Sequence, residues 1–122
     1  MLNLKDMDAN LKEEIKSILV SVNSNLAACH VKQENWDKTI KYCDVVLKND
    51  ENNAKAYYRR GLANYNLNSL SKAEIDTKKA IELSPNDTGI REHYEIIRAK
   101  LKSYDAKQKK EFAGMFDRKL NV

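Results

Sequence analysis

The amino-acid sequence predicts an all-α protein made of packed helix pairs, and three observations carry this prediction. Charged residues make up 33% of the 122 residues, while only three glycines and one proline occur, a balance that suits helices better than a sheet or a disordered chain. Apolar residues recur at intervals of three and four, the spacing of one helix face. Small residues at Gly61, Ala73 and Ala80 precede Pro85, which is typical of two closely crossing helices and their end. At this length the chain forms one domain at most.

Residues 54–87 carry a spacing with a known structural meaning. Counted from Ala54, the anchors Gly61, Ala73, Ala80 and Pro85 fall at positions 8, 20, 27 and 32. This pattern resembles the 34-residue tetratricopeptide (TPR) repeat, a helix–turn–helix unit. The resemblance implies a right-handed superhelix of stacked repeats, whose groove holds a peptide and offers no catalytic pocket of its own. Binding is therefore the predicted activity, and the chain is not expected to be an enzyme.

A weaker copy of the same unit lies 34 residues upstream, over residues 20–53. Glu51 stands where the downstream copy has proline, so the polar turn at 49–53 is expected to end that helix instead. We predict helices over 9–33, 36–49, 54–67, 70–83 and 88–110, with Asn35 and Ser69 as N-caps. The predicted single TPR domain, 1–122, thus comprises a repeat with an extended first helix (9–53), a second repeat (54–87), a capping helix (88–111) and a tail (112–122).

The last predicted helix continues the apolar spacing beyond the repeats. Its stripe contains Ile90, Tyr94, Ile97, Leu101 and Tyr104 at intervals of three and four. Such a stripe under a polar face is typical of the helix that caps a repeat array. We expect it to pack on the 70–83 helix, and the sequence indicates no helix past Gly114.

The sequence also suggests a compartment. No apolar stretch resembles a secretory signal or is long enough to span a bilayer. Two cysteines are too few for a disulfide framework and favour a reducing compartment. We therefore expect a cytoplasmic protein that binds no membrane. Cys29 and Cys43 occupy repeat positions that face packed neighbours, so both are expected to be buried.

Several kinds of chemistry are not indicated by the sequence. His30 and His93 stand far apart, without a cysteine or carboxylate at ligand spacing, so no metal site is predicted. Three scattered glycines do not form a phosphate-binding loop, and no cofactor or catalytic site is predicted. Trp36 and the tyrosines follow helical spacing, which favours core or groove positions over a nucleic-acid platform.

Three polar residues form the candidate binding site. Lys55 and Arg59 are four apart and share a helix face, at repeat positions 2 and 6. Asn25 is position 6 of the preceding repeat. A lysine, an arginine and an amide converging on a groove would suit a carboxylate. Spacing alone leaves a second interpretation open, in which Lys55 and Arg59 are ordinary exposed helix charges.

A family resemblance favours the first interpretation. Residues 25–29 (NLAAC), residues 55–63 (KAYYRRGLA) and the closing FAGMF at 112–116 resemble the TPR domain of the large FK506-binding immunophilins. The resemblance spans residues 8–116. It implies a carboxylate clamp that holds the C-terminal Glu-Glu-Val-Asp of cytosolic heat-shock chaperones, with Asn25, Lys55 and Arg59 at three of its five positions. The family's first repeat and isomerase domain have no counterpart here, so the chain is expected to be the C-terminal two-thirds of such a TPR domain.

The C-terminal segment supports an alternative function. Residues 98–119 contain eight lysines and arginines but only three acidic residues. The run of Lys107, Lys109 and Lys110 overlaps the calmodulin-binding region that the resemblance implies, and it could recruit calmodulin or another acidic surface. A solvated helix face explains the same charges.

The first predicted helix has an apolar stripe that the two repeats do not use: Leu11, Ile15, Ile18, Leu19 and Val22. An uncovered stripe of this kind usually finds a partner surface in a soluble protein. We therefore expect a homodimer through the first helix, with Ile15 and Leu19 at its centre.

Overall fold

In the computed structural model, the described backbone covers residues 4–120 and the described side chains residues 8–115. The described backbone forms five helices joined by short turns. They are α1 (Leu4–Lys32), α2 (Trp36–Asn49), α3 (Ala54–Asn66), α4 (Leu70–Leu83) and α5 (Thr88–Leu120). α1 packs on α2 and α3 on α4, while α2 contacts α3 and thereby stacks the two pairs. This arrangement confirms the predicted all-α repeat fold.

The two long helices differ from the prediction at their outer ends. α1 begins at Leu4, five residues earlier than expected, and α5 continues to Leu120. The prediction that no helix continues past Gly114 is therefore wrong, and most of the predicted tail at 112–122 belongs to α5. One glycine costs a helix only about 1 kcal/mol relative to alanine, and the residues on both sides of Gly114 are mostly good helix formers.

The turn within each helix pair repeats in detail. Glu34 and Asn68, 34 residues apart, both adopt left-handed backbone conformations, with φ of 56° and 63°. The hydrogen bonds that close the two turns match as well, from the Asn35 N–H to the His30 carbonyl (2.9 Å) and from the Ser69 N–H to the Asn64 carbonyl (2.8 Å). The 34-residue period read from the sequence is thus a period of the backbone.

The N-cap positions of the second helices are those that we predicted. Asn35 and Ser69 stand at the N-cap positions of α2 and α4, but neither side chain makes a capping hydrogen bond. Backbone hydrogen bonds of the tight turns occupy these residues instead. The side-chain caps lie between the helix pairs, where Asn53 accepts from the Ala56 N–H at 2.9 Å and Asp87 from the Ile90 N–H at 3.2 Å. Asn53 and Asp87 are again 34 residues apart.

The predicted small residues lie where the helices cross. Gly61, Ala73 and Ala80 are all buried. A Cβ atom added to Gly61 would stand 2.5 Å from Thr77 Oγ1 and 3.4 Å from the Ala73 carbonyl oxygen. α3 therefore approaches α4 more closely than any side chain at position 61 allows, which explains the glycine.

α5 caps the array as expected over its first turns. Ile90 and Ile97 are only 4% and 0% exposed, and Leu101 is half-buried. These residues belong to the part of α5 that packs on α4 and α3. Tyr104 departs from the predicted stripe, because its side chain is 50% exposed. His93 is buried beside the stripe, although the sequence analysis did not assign it to that face.

The two cysteines have different environments. Cys43 is fully buried in α2, as predicted, whereas Cys29 is exposed on α1, and its predicted burial is wrong. No second helix pair packs on the side of α1 that carries Cys29 within the described residues. Repeat position alone did not reveal that difference.

Candidate functional site

Arg59 connects the first helices of the two repeats. It lies on α3, and its Nη1 donates to the Ser24 side-chain oxygen at 3.0 Å and to the Ser24 carbonyl oxygen at 3.2 Å on α1. Both acceptors are neutral, and no ion pair of Arg59 occurs within the described residues. The hydrogen bonds therefore position the guanidinium without cancelling its charge.

The neighbouring Arg60 has a different role. Its Nε and Nη2 donate to both carboxylate oxygens of Asp76 at 2.9 and 2.8 Å, and its Nη1 donates to Asp44 at 2.9 Å. Asn64 also donates to Asp76, which is nearly buried. The hydrogen bonds that Arg60 donates to Asp76 raise the pKa of Arg60 above its usual range, since they favour the charged form. Arg60 thus serves to join α2, α3 and α4.

The other two predicted site residues are open to solvent. Lys55 lies one turn before Arg59 on α3, and Asn25 follows Ser24 on α1. Both are exposed, and neither makes an ion pair or a side-chain hydrogen bond within the described residues. The Arg59–Ser24 contact thus brings Arg59 next to the turn of α1 that carries Asn25, with Lys55 on the same face of α3. Through these hydrogen bonds Ser24 joins the candidate site, and nothing in its spacing marked it in the sequence analysis.

Burial shifts the pKa values of two titratable side chains in the core. Burial raises the pKa of the Cys43 thiol to about 12, so it stays protonated at neutral pH. Burial also lowers the pKa of His93, whose ring stands edge-on to the rings of Tyr58 and Tyr65. Among the described residues, no group of three histidines, cysteines or carboxylates could hold a metal ion.

The basic segment of α5 extends past the repeats. Lys107, Lys109 and Lys110 are exposed, and no ion pair forms at them in the described structure. Apolar side chains accompany them on the same helix, with Phe112 72% and Met115 57% exposed. Where α5 leaves α4, a cleft of about 900 Å³ is bounded by the Arg98–Glu74 ion pair and residues of both helices. This cleft does not include the candidate site on α1 and α3.

Within the described residues, no helix has both the length and the apolar character that crossing a membrane requires.

Comparison with known proteins identifies the repeat and its relatives. The family model of the tetratricopeptide repeat matches residues 54–87. FK506-binding protein 59 of Drosophila melanogaster is 38% identical over 114 residues, which are 93% of this chain and 26% of the fly protein. The chain spans about a quarter of the length of the curated relatives it matches. Some of these relatives are named peptidyl-prolyl cis-trans isomerases.

Two solved structures show the same fold. The C-terminal TPR-containing domain of an FK506-binding protein of Plasmodium falciparum has a TM-score of 0.72 and 41% identity, over 75% of this chain and 60% of that one. The myosin chaperone UNC-45 from C. elegans, in complex with an Hsp90 peptide, has a TM-score of 0.72 and 31% identity, over 83% of this chain and 11% of that one. This chain is a TPR domain homologous to the C-terminal TPR region of the FK506-binding immunophilins, and it covers only that region.

Proposed function

We propose that this TPR domain is a protein-interaction module that binds the acidic C-terminal peptide of a heat-shock chaperone through Asn25, Lys55 and Arg59. The observation that carries the proposal is the state of Arg59. Its side chain is held by two hydrogen bonds to Ser24, yet it lacks a carboxylate partner in the described structure. A positioned, uncompensated guanidinium is suited to receive the carboxylate of a ligand.

The contrast with Arg60 supports this assignment. The two arginines are adjacent in sequence, and both lie on α3. Arg60 is neutralised by Asp44 and Asp76, as expected of an arginine with a structural role. Arg59 donates only to the neutral oxygens of Ser24, so its positive charge remains available to an anion. Ordering by Ser24 also reduces the side-chain entropy that Arg59 loses on binding.

Two further observations favour a peptide carboxylate as the ligand. Lys55 lies one turn from Arg59 and Asn25 lies beside Ser24, so a point charge and an amide donor flank the guanidinium. UNC-45, whose structure contains an Hsp90 peptide, shares the fold with 31% identity over most of this chain. Because the three residues match three of the five clamp positions implied by the immunophilin resemblance, we expect weak binding.

The test is a titration of the chain with a peptide ending in Glu-Glu-Val-Asp, in which calorimetry or fluorescence polarisation measures the binding. A charge-assisted hydrogen bond contributes about 1.5–3 kcal/mol. Arg59→Ala should therefore lower the affinity about tenfold or more, and Lys55→Ala should also weaken binding. The control is Lys72→Ala, which removes an exposed lysine from α4 and should leave the affinity unchanged. Equal affinity for the peptide and its C-terminal amide would show that no carboxylate is recognised.

The extended α5 favours a second candidate function. Its free end presents Lys107, Lys109 and Lys110 with exposed Phe112 and Met115, a basic amphipathic helix of the kind that calmodulin binds. Replacement of the three lysines by glutamate should abolish a calcium-dependent complex with calmodulin on a native gel. If the unmodified chain forms no such complex, this second function is wrong.

A further inference from the structure

We propose that α1 is a self-association surface on which a second copy of this chain packs its own α1 about a two-fold axis. The surface, here called the α1 stripe, consists of large aliphatic side chains that are 36–61% exposed: Leu11, Ile15, Ile18, Leu19, Val22 and Leu26. The sequence indicated five of these residues, and the structure shows that no described element covers them.

The stripe has the geometry of a helix–helix interface. Leu11, Ile15, Ile18 and Val22 follow one another at intervals of four, three and four, the spacing at which two helices interlock side chains. The packing of α1 within the repeat uses other residues, with Asn23 and Ala27 buried. A partner can therefore reach the stripe without disturbing the contact between α1 and α2.

The size of the stripe is compatible with a dimer. Six partly exposed aliphatic side chains make a contiguous patch in the range of about 300–600 Å², which in a soluble protein is often functional. Two such patches face to face would bury on the order of 1,000 Å², near the lower limit for a specific interface.

The position of α5 excludes the obvious alternative way for copies to join. Helix pairs in this fold stack with the first helix of one pair against the second helix of the previous pair, as α3 does on α2. Continuing that pattern from copy to copy would place α1 of one molecule against α4 of the next. In each molecule α5 already covers α4, so this head-to-tail stacking is blocked. The α1 stripe itself remains for a closed, two-fold pairing.

The charges beside the stripe favour a second copy over a strongly charged partner. Lys12 and Glu14 flank the stripe on opposite sides, so the charges next to it balance, while Glu13 and Lys16 lie on the far side of α1, toward the C-terminal end of α2. A surface with balanced charges does not repel itself when two copies meet. It also offers no electrostatic attraction to a partner of one sign.

The proposal is tested by sedimentation equilibrium of the full chain at micromolar concentrations. The unmodified chain, whose monomer mass is 14.1 kDa, should sediment as a dimer. Ile18→Lys should raise the dimer dissociation constant by about 100-fold, because the charge enters the interface twice, once from each copy. Ile15→Asp should act in the same way. Ile18 is 61% exposed, so its replacement leaves the monomer folded, which circular dichroism checks.

The matched control is Ile75→Asp on α4. Ile75 is 67% exposed, as open as Ile18, but it lies outside the α1 stripe, and this variant should remain dimeric. A monomer of the unmodified chain at all concentrations would overturn the proposal. A folded Ile18→Lys variant that dimerises as well as the unmodified chain would do the same.

Discussion

Replacing Gly61 with alanine should destabilise this protein, although alanine is the better helix former. The added Cβ would stand 2.5 Å from Thr77 Oγ1, closer than such atoms approach in proteins. Thr77 cannot yield easily, because its side chain is branched at Cβ and fully buried on α4. Either the side chain leaves its preferred rotamer or α3 and α4 move apart.

The expected magnitude follows from two opposing terms. Overpacking of a dense core costs about 1–3 kcal/mol, whereas glycine to alanine in a helix gains up to about 1 kcal/mol. A contact of 2.5 Å places the overpacking cost in the upper half of its range, about 2–3 kcal/mol. The net loss should therefore be about 1–2 kcal/mol, which for a domain of this size lowers the melting temperature by roughly 4–8 °C. Thermal denaturation followed by circular dichroism measures this change.

A double-mutant cycle identifies the clash as the cause. Thr77→Ala removes the Oγ1 atom, which is buried without a hydrogen-bond partner, and makes room for the new methyl group. In that background Gly61→Ala should cost much less than in the unmodified chain. A Gly61→Ala variant as stable as the unmodified protein, or an equal cost in both backgrounds, would refute the reasoning.

Two further predictions concern the capping helix. Ile97→Ala should lower the free energy of unfolding by about 2–4 kcal/mol in urea denaturation, because Ile97 is fully buried. The control is Ile96→Ala, which should change stability by less than about 0.5 kcal/mol, because Ile96 is 52% exposed. Similar losses for both variants would contradict the capping role of α5. His93 has a pKa lowered by burial from its usual value of 6.5, so the unfolded chain binds its proton more readily and stability should fall as the pH drops below about 6.5. In His93→Phe the urea midpoint should depend less on pH between pH 6.5 and 5. If the midpoint falls as steeply as in the unmodified chain, another group is responsible.

Helix positions could be predicted because they depend on local sequence. The inner boundaries of all five helices, from Trp36 to Thr88, lie within one residue of the prediction. Apolar periodicity and turn residues carry that information over short distances. The outer ends of α1 and α5 were less predictable, since no strong stop signal such as a proline stands there and a single glycine does not end a helix.

The candidate site was predictable only in part. The sequence indicated Asn25, Lys55 and Arg59 by their repeat positions, and the structure places Arg59 beside the α1 turn that carries Asn25. Whether these residues bind a peptide stays a prediction. Ser24 could not be predicted, because its contact with Arg59 spans 35 positions of sequence and exists only once α1 and α3 lie side by side.

The sequence by itself determined the 34-residue period, the helices and the small residues at their crossings, since each depends on spacing along one chain. Tertiary structure alone decided which of two adjacent arginines is neutralised and which stays available, because successive helix positions point about 100° apart and meet different neighbours. It also decided that Cys43 is buried and Cys29 exposed. A repeat position defines a face of a helix, and only the packing of the other helices determines whether that face is covered.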